Sequence, residues 1–186
     1  MNARSRSDGP ATVRAVNVPK VTVFPSVRRA QLADASALAD LVNRAYAIEG
    51  FFVDGQRTDA EEIARLVRTG TFLVLEHNGD RPALAGAVYV EALPEGGSFG
   101  MLSVAPELQG MGLGTRLVRI AEAMCEAMGA PTVRLRIVNL REELGRWYRS
   151  LGYEEIGTAP YDHGPVKQPC HFVEMQRSIN RQLLAV

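Results

Sequence analysis

The chain is short of nearly everything that would mark a special environment. It has two cysteines in 186 residues, Cys125 and Cys170, too few for a disulfide framework. No apolar run approaches the roughly 18 residues that a membrane-spanning helix needs. Lysine is almost absent: Lys20 and Lys167 are the only two, and arginine carries the rest of the basic charge. Net charge is absent as well, with 21 basic against 21 acidic groups. That balance argues against a general nucleic-acid or anionic-membrane surface, which shows a basic excess. The three histidines and two cysteines have no metal-ligand spacing, so no metal is expected. What is present is ordinary: 46% hydrophobic residues, enough for a core, and the length of one domain.

The zero charge is not evenly spread. Residues 1–29 hold Arg4, Arg6, Arg14, Lys20, Arg28 and Arg29 against Asp8 alone, a formal +5. Residues 30–186 hold 15 basic and 20 acidic groups, a formal −5. Residues 1–20 have no period and little apolar content, so the expectation is a flexible basic extension. An organelle transit peptide is the alternative there, and it lacks an amphipathic stripe. Residues 21–177 are expected to form one domain and residues 178–186 a tail. No signal-peptide apolar region is visible, and the cytoplasm is the expected compartment.

The elements follow from periodicity and turn chemistry. Val21, Val23 and Val27 suggest a first strand interrupted by Pro25. Asp34 is a helix-cap candidate before Leu38, Leu41, Val42, Ala45 and Tyr46, with Gly50 closing the helix. Thr58 and Glu61 form a capping box for a second helix with Ile63, Leu66 and Val67 buried and Gly70 at its end. Strands follow at Phe72–Glu76, Ala83–Glu91 and Phe99–Val104. They are joined by a hairpin at Asn78-Gly79 and a reversal at Glu95-Gly96-Gly97-Ser98. A helix with Leu117, Ile120, Ala121, Met124 and Met128 leads to a strand at Val133–Val138, so these last two strands should be parallel. A final helix (Leu140, Leu144, Trp147, Leu151) precedes strands at Tyr153–Gly157 and His171–Met175. The predicted order is β-α-α-β-β-β-α-β-α-β-β, an α/β (α+β) fold. Its mixed, mostly antiparallel sheet of six or seven strands is flanked by four helices.

The most informative segment is Met101–Thr115, with Gln109-Gly110-Met111-Gly112-Leu113-Gly114-Thr115 between a strand and a helix N-terminus. Such a terminus has unpaired N–H groups and a partial positive charge. Glycines let a phosphate approach the backbone closely. Two nucleotide loops are excluded. A dinucleotide fingerprint fails because Thr115 takes the last glycine position and Val133–Val138 ends in Asn139 rather than an acid. A P-loop fails because Gly114 is followed by Thr115-Arg116, not Lys-Ser/Thr.

The loop instead resembles the acyl-CoA loop of the GNAT superfamily of N-acetyltransferases, Gln/Arg-x-x-Gly-x-Gly/Ala, through Gln109, Gly112 and Gly114. Leu102-Ser103-Val104 and the helix ending Trp147-Tyr148-Arg149-Ser150-Leu151-Gly152-Tyr153 extend the resemblance, which covers residues 21–175 with the element order. It implies acetyl-CoA as cosubstrate and CoA as product. The cofactor-binding set would be Leu102, Ser103, Val104, Gln109, Gly110, Met111, Gly112, Leu113, Gly114 and Thr115. Their loop N–H groups would hold the pyrophosphate, and Leu102 and Val104 the pantetheine arm. An N–H of this strand would stabilise the oxyanion, with Leu102 at the matching position. The sequence departs from the family at one place: seven residues before Tyr148 stands Arg141, where the family often has Asn, and Asn139 lies two residues earlier.

By the same resemblance, Tyr148 matches the family's proton donor to the departing thiolate, and Glu91 is a candidate for activating the amine through water. Asp162 and His163 are the alternatives to Glu91. The acceptor wall would come from the first two helices and their linker: Tyr46, Phe51 and Phe52, with Tyr89 on the face of Glu91. Glu49 and Asp54 are placed to attract a cationic amine. The implied function is acetyl transfer to a primary amine of a small molecule by direct attack. A protein acceptor and a non-catalytic acyl-CoA sensor stay open, as does homodimerisation, which is frequent in the family.

Overall fold

The computed structural model describes residues 26–77 and 83–179. Its organisation follows from two interleaved apolar periods. In the strand at 71–77, Phe72 and Val74 pack on one face of the sheet, while Leu73 and Leu75 pack on the other. A strand buried on both faces needs helices on both sides. The chain supplies them as β1 (Ser26–Arg29), α1 (Ala35–Tyr46), α2 (Ala60–Thr69), β2 (Thr71–His77), β3 (Ala83–Leu93), β4 (Gly96–Val104), α3 (Leu113–Ala127), β5 (Thr132–Val138), α4 (Glu142–Ser150), β6 (Glu154–Pro160) and β7 (His171–Ser178). The expected element order is the observed one.

The seven strands form one sheet in the order β1-β2-β3-β4-β5-β7-β6. Only β4 and β5 run parallel, as the crossover through α3 requires. On one face, Leu38 and Leu41 of α1 and Ile63 of α2 meet Phe72, Val74 and Ala87. On the other, Leu117, Val118 and Ala121 of α3 meet Leu75, Val88, Val90, Val133 and Leu135. Each fully buried side chain of this size contributes about 1.5–3 kcal/mol, before the entropy of ordering it.

Local expectations needed correction at several ends. Asp34 precedes α1, but its carboxylate accepts from Arg28 (2.7 and 2.9 Å) and from the Gln31 N–H (2.7 Å). It therefore ties β1 to the helix start rather than capping α1. Arg28, counted by charge with the basic extension, thus belongs to the sheet. Gly50 does not end α1; the chain runs on as a 3-10 turn, Ala47–Phe51. The cap of α2 is Asp59, whose carboxylate accepts from the Glu62 N–H at 2.8 Å, while the Thr58 hydroxyl bonds the Glu62 side chain. The predicted box is displaced by one residue because Asp59 is the better acceptor. The β3–β4 reversal is tighter than expected: Leu93 pairs with Gly96, leaving Pro94-Glu95 as the turn and Gly96–Ser98 inside β4. The Asn78-Gly79 turn, the Val21 and Val23 positions, and both predicted terminal extensions up to residue 20 and from residue 180 lie outside the described residues.

Candidate functional site

Two irregularities of β4 create the site. The first is a bulge. Gly100 pairs with Tyr89 and Ser103 with Ala87, so Met101 and Leu102 together oppose the single residue Val88. Met101 absorbs the extra residue with φ of +47°, the single non-glycine residue at positive φ among the described residues. The second is divergence. β4 and β5 pair only at Gly97–Val133 and Ser98–Arg134, although both strands continue well beyond. From Phe99 onward the β4 edge that should meet β5 is unpaired, and a cleft of about 1180 Å3 opens there. Its walls include Phe99, Leu102 and Val104 from β4, and Leu135 and Ile137 from β5.

At one end of this cleft lies the glycine loop. Gly110 and Gly112 have φ of +76° and +79°, which only glycine adopts without strain, and no atom stands within 4 Å of where their Cβ atoms would be. Gly112 is the N-cap of α3, and no side chain among the described residues caps that helix. The first-turn N–H groups of a fifteen-residue helix are therefore left for a ligand. Gln109 is turned back, its side-chain amide donating to the Val104 carbonyl at 3.3 Å. That bond fixes where the loop leaves β4.

Tyr148 stands in the middle of the cleft wall. Trp147, Phe99 and Tyr153 hold its ring, with centroids at 4.6, 6.2 and 5.6 Å. Its phenol makes no hydrogen bond among the described residues, although the residue is buried. Burial, together with nearby Tyr46, pushes the phenol above its ordinary pKa against the pull of Arg141. It is therefore protonated at neutral pH. Glu91 lines the cleft further along β3–β4, accepting from Ser98 Oγ at 3.1 Å and Tyr89 Oη at 3.4 Å.

The other end is polar and largely buried. Glu49, at the end of the α1 extension, is 6% exposed. Arg141 Nη1 lies 3.1 Å from its carboxylate, and Arg141 Nε lies 2.5 Å from Glu143. Burial raises the Glu49 pKa despite that partner. Tyr46, beside it, is pushed up to about 12 by burial. The loop after β6 closes this side: Lys167 N–H donates to the Phe52 carbonyl (2.8 Å), and Lys167 Nζ binds Asp54 (2.8 Å) and the Gly50 carbonyl (2.6 Å). It brings Tyr161 and His163 to the cleft. Burial lowers the His163 pKa, as does the charge of Arg57, so the imidazole is neutral at pH 7.

Of the expected residues, Tyr148, Glu91, Leu102, Val104, Gln109, Gly110, Gly112, Leu113, Gly114, Thr115, Tyr46 and Tyr89 line one continuous cleft. Four do not. Ser103 points into the structure, 1% exposed, with its hydroxyl on the Met101 carbonyl. Met111 projects outward from the loop. Phe52 is buried in a separate cluster with Val138 and Phe172, and Phe51 packs edge-on against it at the surface. Asn139 instead accepts from the His171 N–H at 2.9 Å, which settles it as a β7 anchor. Arg57 and Arg141 line the cleft and had no expected role. The one signal for Arg141 was its standing where Asn was looked for.

Residues 68–155, which span β2 to the start of β6, match the family model described as acetyltransferase (GNAT) domain. Those residues carry a GNAT acetyltransferase domain. The chain is an acyltransferase, and its fold matches solved structures of that type over most of its length. A putative acetyltransferase from Salmonella typhimurium, solved with its cofactor acetyl-CoA, superposes with a TM-score of 0.68 at 18% identity, covering 84% of this chain and 94% of that one. The ribosomal-protein-alanine N-acetyltransferase from Brucella melitensis gives 0.68 at 19% identity, covering 83% and 99%. Naa20 of Chaetomium thermophilum, in complex with a bisubstrate analogue, gives 0.64 at 17%, covering 83% and 86%. At such identities the likeness is one of fold. No curated protein matches at a significant level. Acetyl-CoA dependence belongs to this GNAT domain at the family level. No described helix is long and apolar enough to cross a membrane.

Proposed function

We propose that this GNAT domain transfers an acetyl group from acetyl-CoA to the primary amine of a small molecule, by direct attack in a ternary complex. The observation that carries the reading is the Tyr148 phenol, protonated and without a protein partner among the described residues, beside the unpaired edge of β4. Acetyl-CoA supplies the activated acyl group when bound. The donor set suits it: uncapped α3 amides behind two open positive-φ glycines for the pyrophosphate, and the β4 edge at Leu102 and Val104 for an extended amide-bearing arm. The Leu102 N–H, on the bulge, is the donor for the charge that develops on the carbonyl oxygen.

Glu91, directly or through water, takes the proton that a protonated alkyl amine (pKa about 10.4) must lose. The amine nitrogen then bonds to the carbonyl carbon, loses its second proton to solvent to become the neutral amide nitrogen, and the carbon–sulfur bond breaks. Tyr148 gives its proton to the leaving thiolate, and Arg141 eases that transfer by opposing the effect of burial. Solvent reprotonates Tyr148 and accepts the proton from Glu91, so each turnover ends with the enzyme unchanged. Buried Glu49, facing the acceptor end, favours a cationic amine.

A panel of small amines and peptides, read by release of free thiol from acetyl-CoA, tests the proposal. Acetylation of small amines is expected. Turnover of peptides alone would transfer the reading to a protein amine, the kind of acceptor named for the Brucella ribosomal-protein-alanine N-acetyltransferase. A rise in Tm with acetyl-CoA but no turnover of any amine would make the domain a sensor.

A further inference from the structure

The arginines around the cleft are not alike. Arg134 binds Gln176 and Glu95, Arg136 binds Glu174, and Arg141 binds Glu49 and Glu143. The Arg57 guanidinium, also at the cleft, has no hydrogen-bond or ion-pair partner among the described residues. Its Cζ instead lies over the Tyr46 ring, 5.6 Å from the centroid. The neighbouring carboxylates are occupied elsewhere: Glu49 by Arg141, Glu62 by the Thr58 hydroxyl at 2.8 Å. The backbone beneath Arg57 is clamped. Asn43 Oδ1 accepts from the Arg57 and Thr58 N–H groups (2.8 and 3.1 Å), and Asn43 Nδ2 donates to the Thr58 carbonyl (2.9 Å). A stacked, planar, five-donor fork with its donors unspent is thus held at the acceptor end on a fixed backbone. Its charge reaches Tyr46, Glu49, Tyr161 and His163, and Tyr46 in turn influences Tyr148. The guanidinium, the Tyr46 ring and the Tyr148 phenol line the same cleft.

We propose that Arg57 is a carboxylate clamp, and that the acceptor is a small amino acid or amino-acid derivative whose carboxylate Arg57 binds while its amine faces Tyr148 and Glu91. This rests on the acetyl-transfer reading above. The geometry favours a carboxylate over a phosphate ester. One free cation matches one negative charge, and a phosphate of nearly two charges beside Glu49 and Glu62 would meet repulsion that a carboxylate halves. The fork also reads a planar carboxylate through two parallel bonds. A site with polar groups built for a substrate's polar group discriminates strongly against the analogue that lacks it.

The test uses matched pairs: an amino acid and the amine that remains when its carboxyl group is removed, such as phenylalanine and phenethylamine. In thiol-release assays the carboxylate member should have kcat/KM about 10–100-fold higher. Arg57→Ala should abolish the difference through KM, and Arg57→Lys should keep part of it. Acetyl-CoA affinity should stay at the wild-type value in both, and Tm should fall only slightly in Arg57→Ala, which loses the contact with the Tyr46 ring but not the clamped backbone. A second measurement needs no turnover: calorimetric binding of N-acetylphenylalanine and of N-phenethylacetamide in the presence of CoA. Arg57-dependent preference for the carboxylate in binding supports the clamp, even where no amine is acetylated and the transfer reading fails. Equal kcat/KM within pairs, equal binding within pairs, or a preference that survives Arg57→Ala would overturn it.

Discussion

Two buried glutamates, each beside a tyrosine, have opposite fates in this protein. Glu122 on α3 is 8% exposed and fully engaged: Tyr153 Oη (2.9 Å), Arg177 (2.7 Å) and Arg119 (2.8 Å) all donate to it. Burial alone would raise its pKa, but the three donors together hold it below the ordinary range. Glu49 is buried as deeply, yet has one guanidinium that it shares with Glu143, and its pKa goes up. The tyrosines repeat the contrast. Tyr153 spends its hydroxyl on Glu122, while Tyr148, one helix end away, keeps its own for the cleft. A closed polar network rigidifies a fold; an incomplete one at a cavity is where a ligand finishes the hydrogen-bond set.

The comparison can be broken by exchanging the roles. The largest effect is expected from Tyr148→Phe, which should lower kcat by about two orders of magnitude or more with acetyl-CoA affinity retained. Tyr153→Phe should do the reverse, lowering Tm with kcat preserved. Unchanged turnover in Tyr148→Phe would leave the two tyrosines equivalent.

Next comes Glu122→Gln, which strands two guanidiniums and should cost about 2 kcal/mol in denaturant unfolding. Glu49→Gln should cost less, because Arg141 keeps Glu143. Equal losses would mean that both networks are structural.

Gly112→Ala probes the other open end. Forcing a Cβ into positive φ costs about 1 kcal/mol and moves the uncapped α3 amides, so KM for acetyl-CoA should rise while kcat changes little. An unaltered KM would detach the loop from cofactor binding.

The smallest effect is in acid. The folded pKa of Glu122 is depressed, so its stabilisation is present above the unfolded value near 4.5 and is lost as pH falls through the folded one. The folded pKa of Glu49 is raised, so its proton uptake favours the native state as pH falls toward 4.5. Relative to its Gln variant, wild-type Tm should therefore fall with acid at position 122 and rise at position 49. Thermal melts from pH 7 to pH 4 would show both signs, and two slopes of one sign would refute the distinction.

The site was legible in the sequence where it is made of backbone. Gly110, Gly112, the Gln109 turn and the β4 edge are local: a few consecutive residues dictate positive φ, a bare helix start and a strand end. Where it is made of side chains from distant elements, reading failed or stayed incomplete. Phe51 and Phe52 look like pocket walls because they are large and near α1, but a one-residue difference sends Phe52 into the Val138–Phe172 cluster and leaves Phe51 outside. Arg57 and Arg141 look like any surface arginines of an arginine-rich chain. Nothing local tells that one is paired and the other is not.

The balanced charge and the scarcity of cysteine and lysine excluded classes of protein without choosing one. Periodicity and turn residues determined the element order, because hydrogen bonding within an element and the burial of one face are decided over a few residues. The glycine loop determined a bare helix start behind two positive-φ glycines, because its constraint is on φ. Tertiary structure alone decided the rest: the divergence of β4 from β5, the unspent phenol of Tyr148, and which carboxylate is saturated and which is left open. Each depends on the desolvation and pairing of groups up to 92 residues apart, as for Glu49 and Arg141. Those energies exist only once the chain has closed around them.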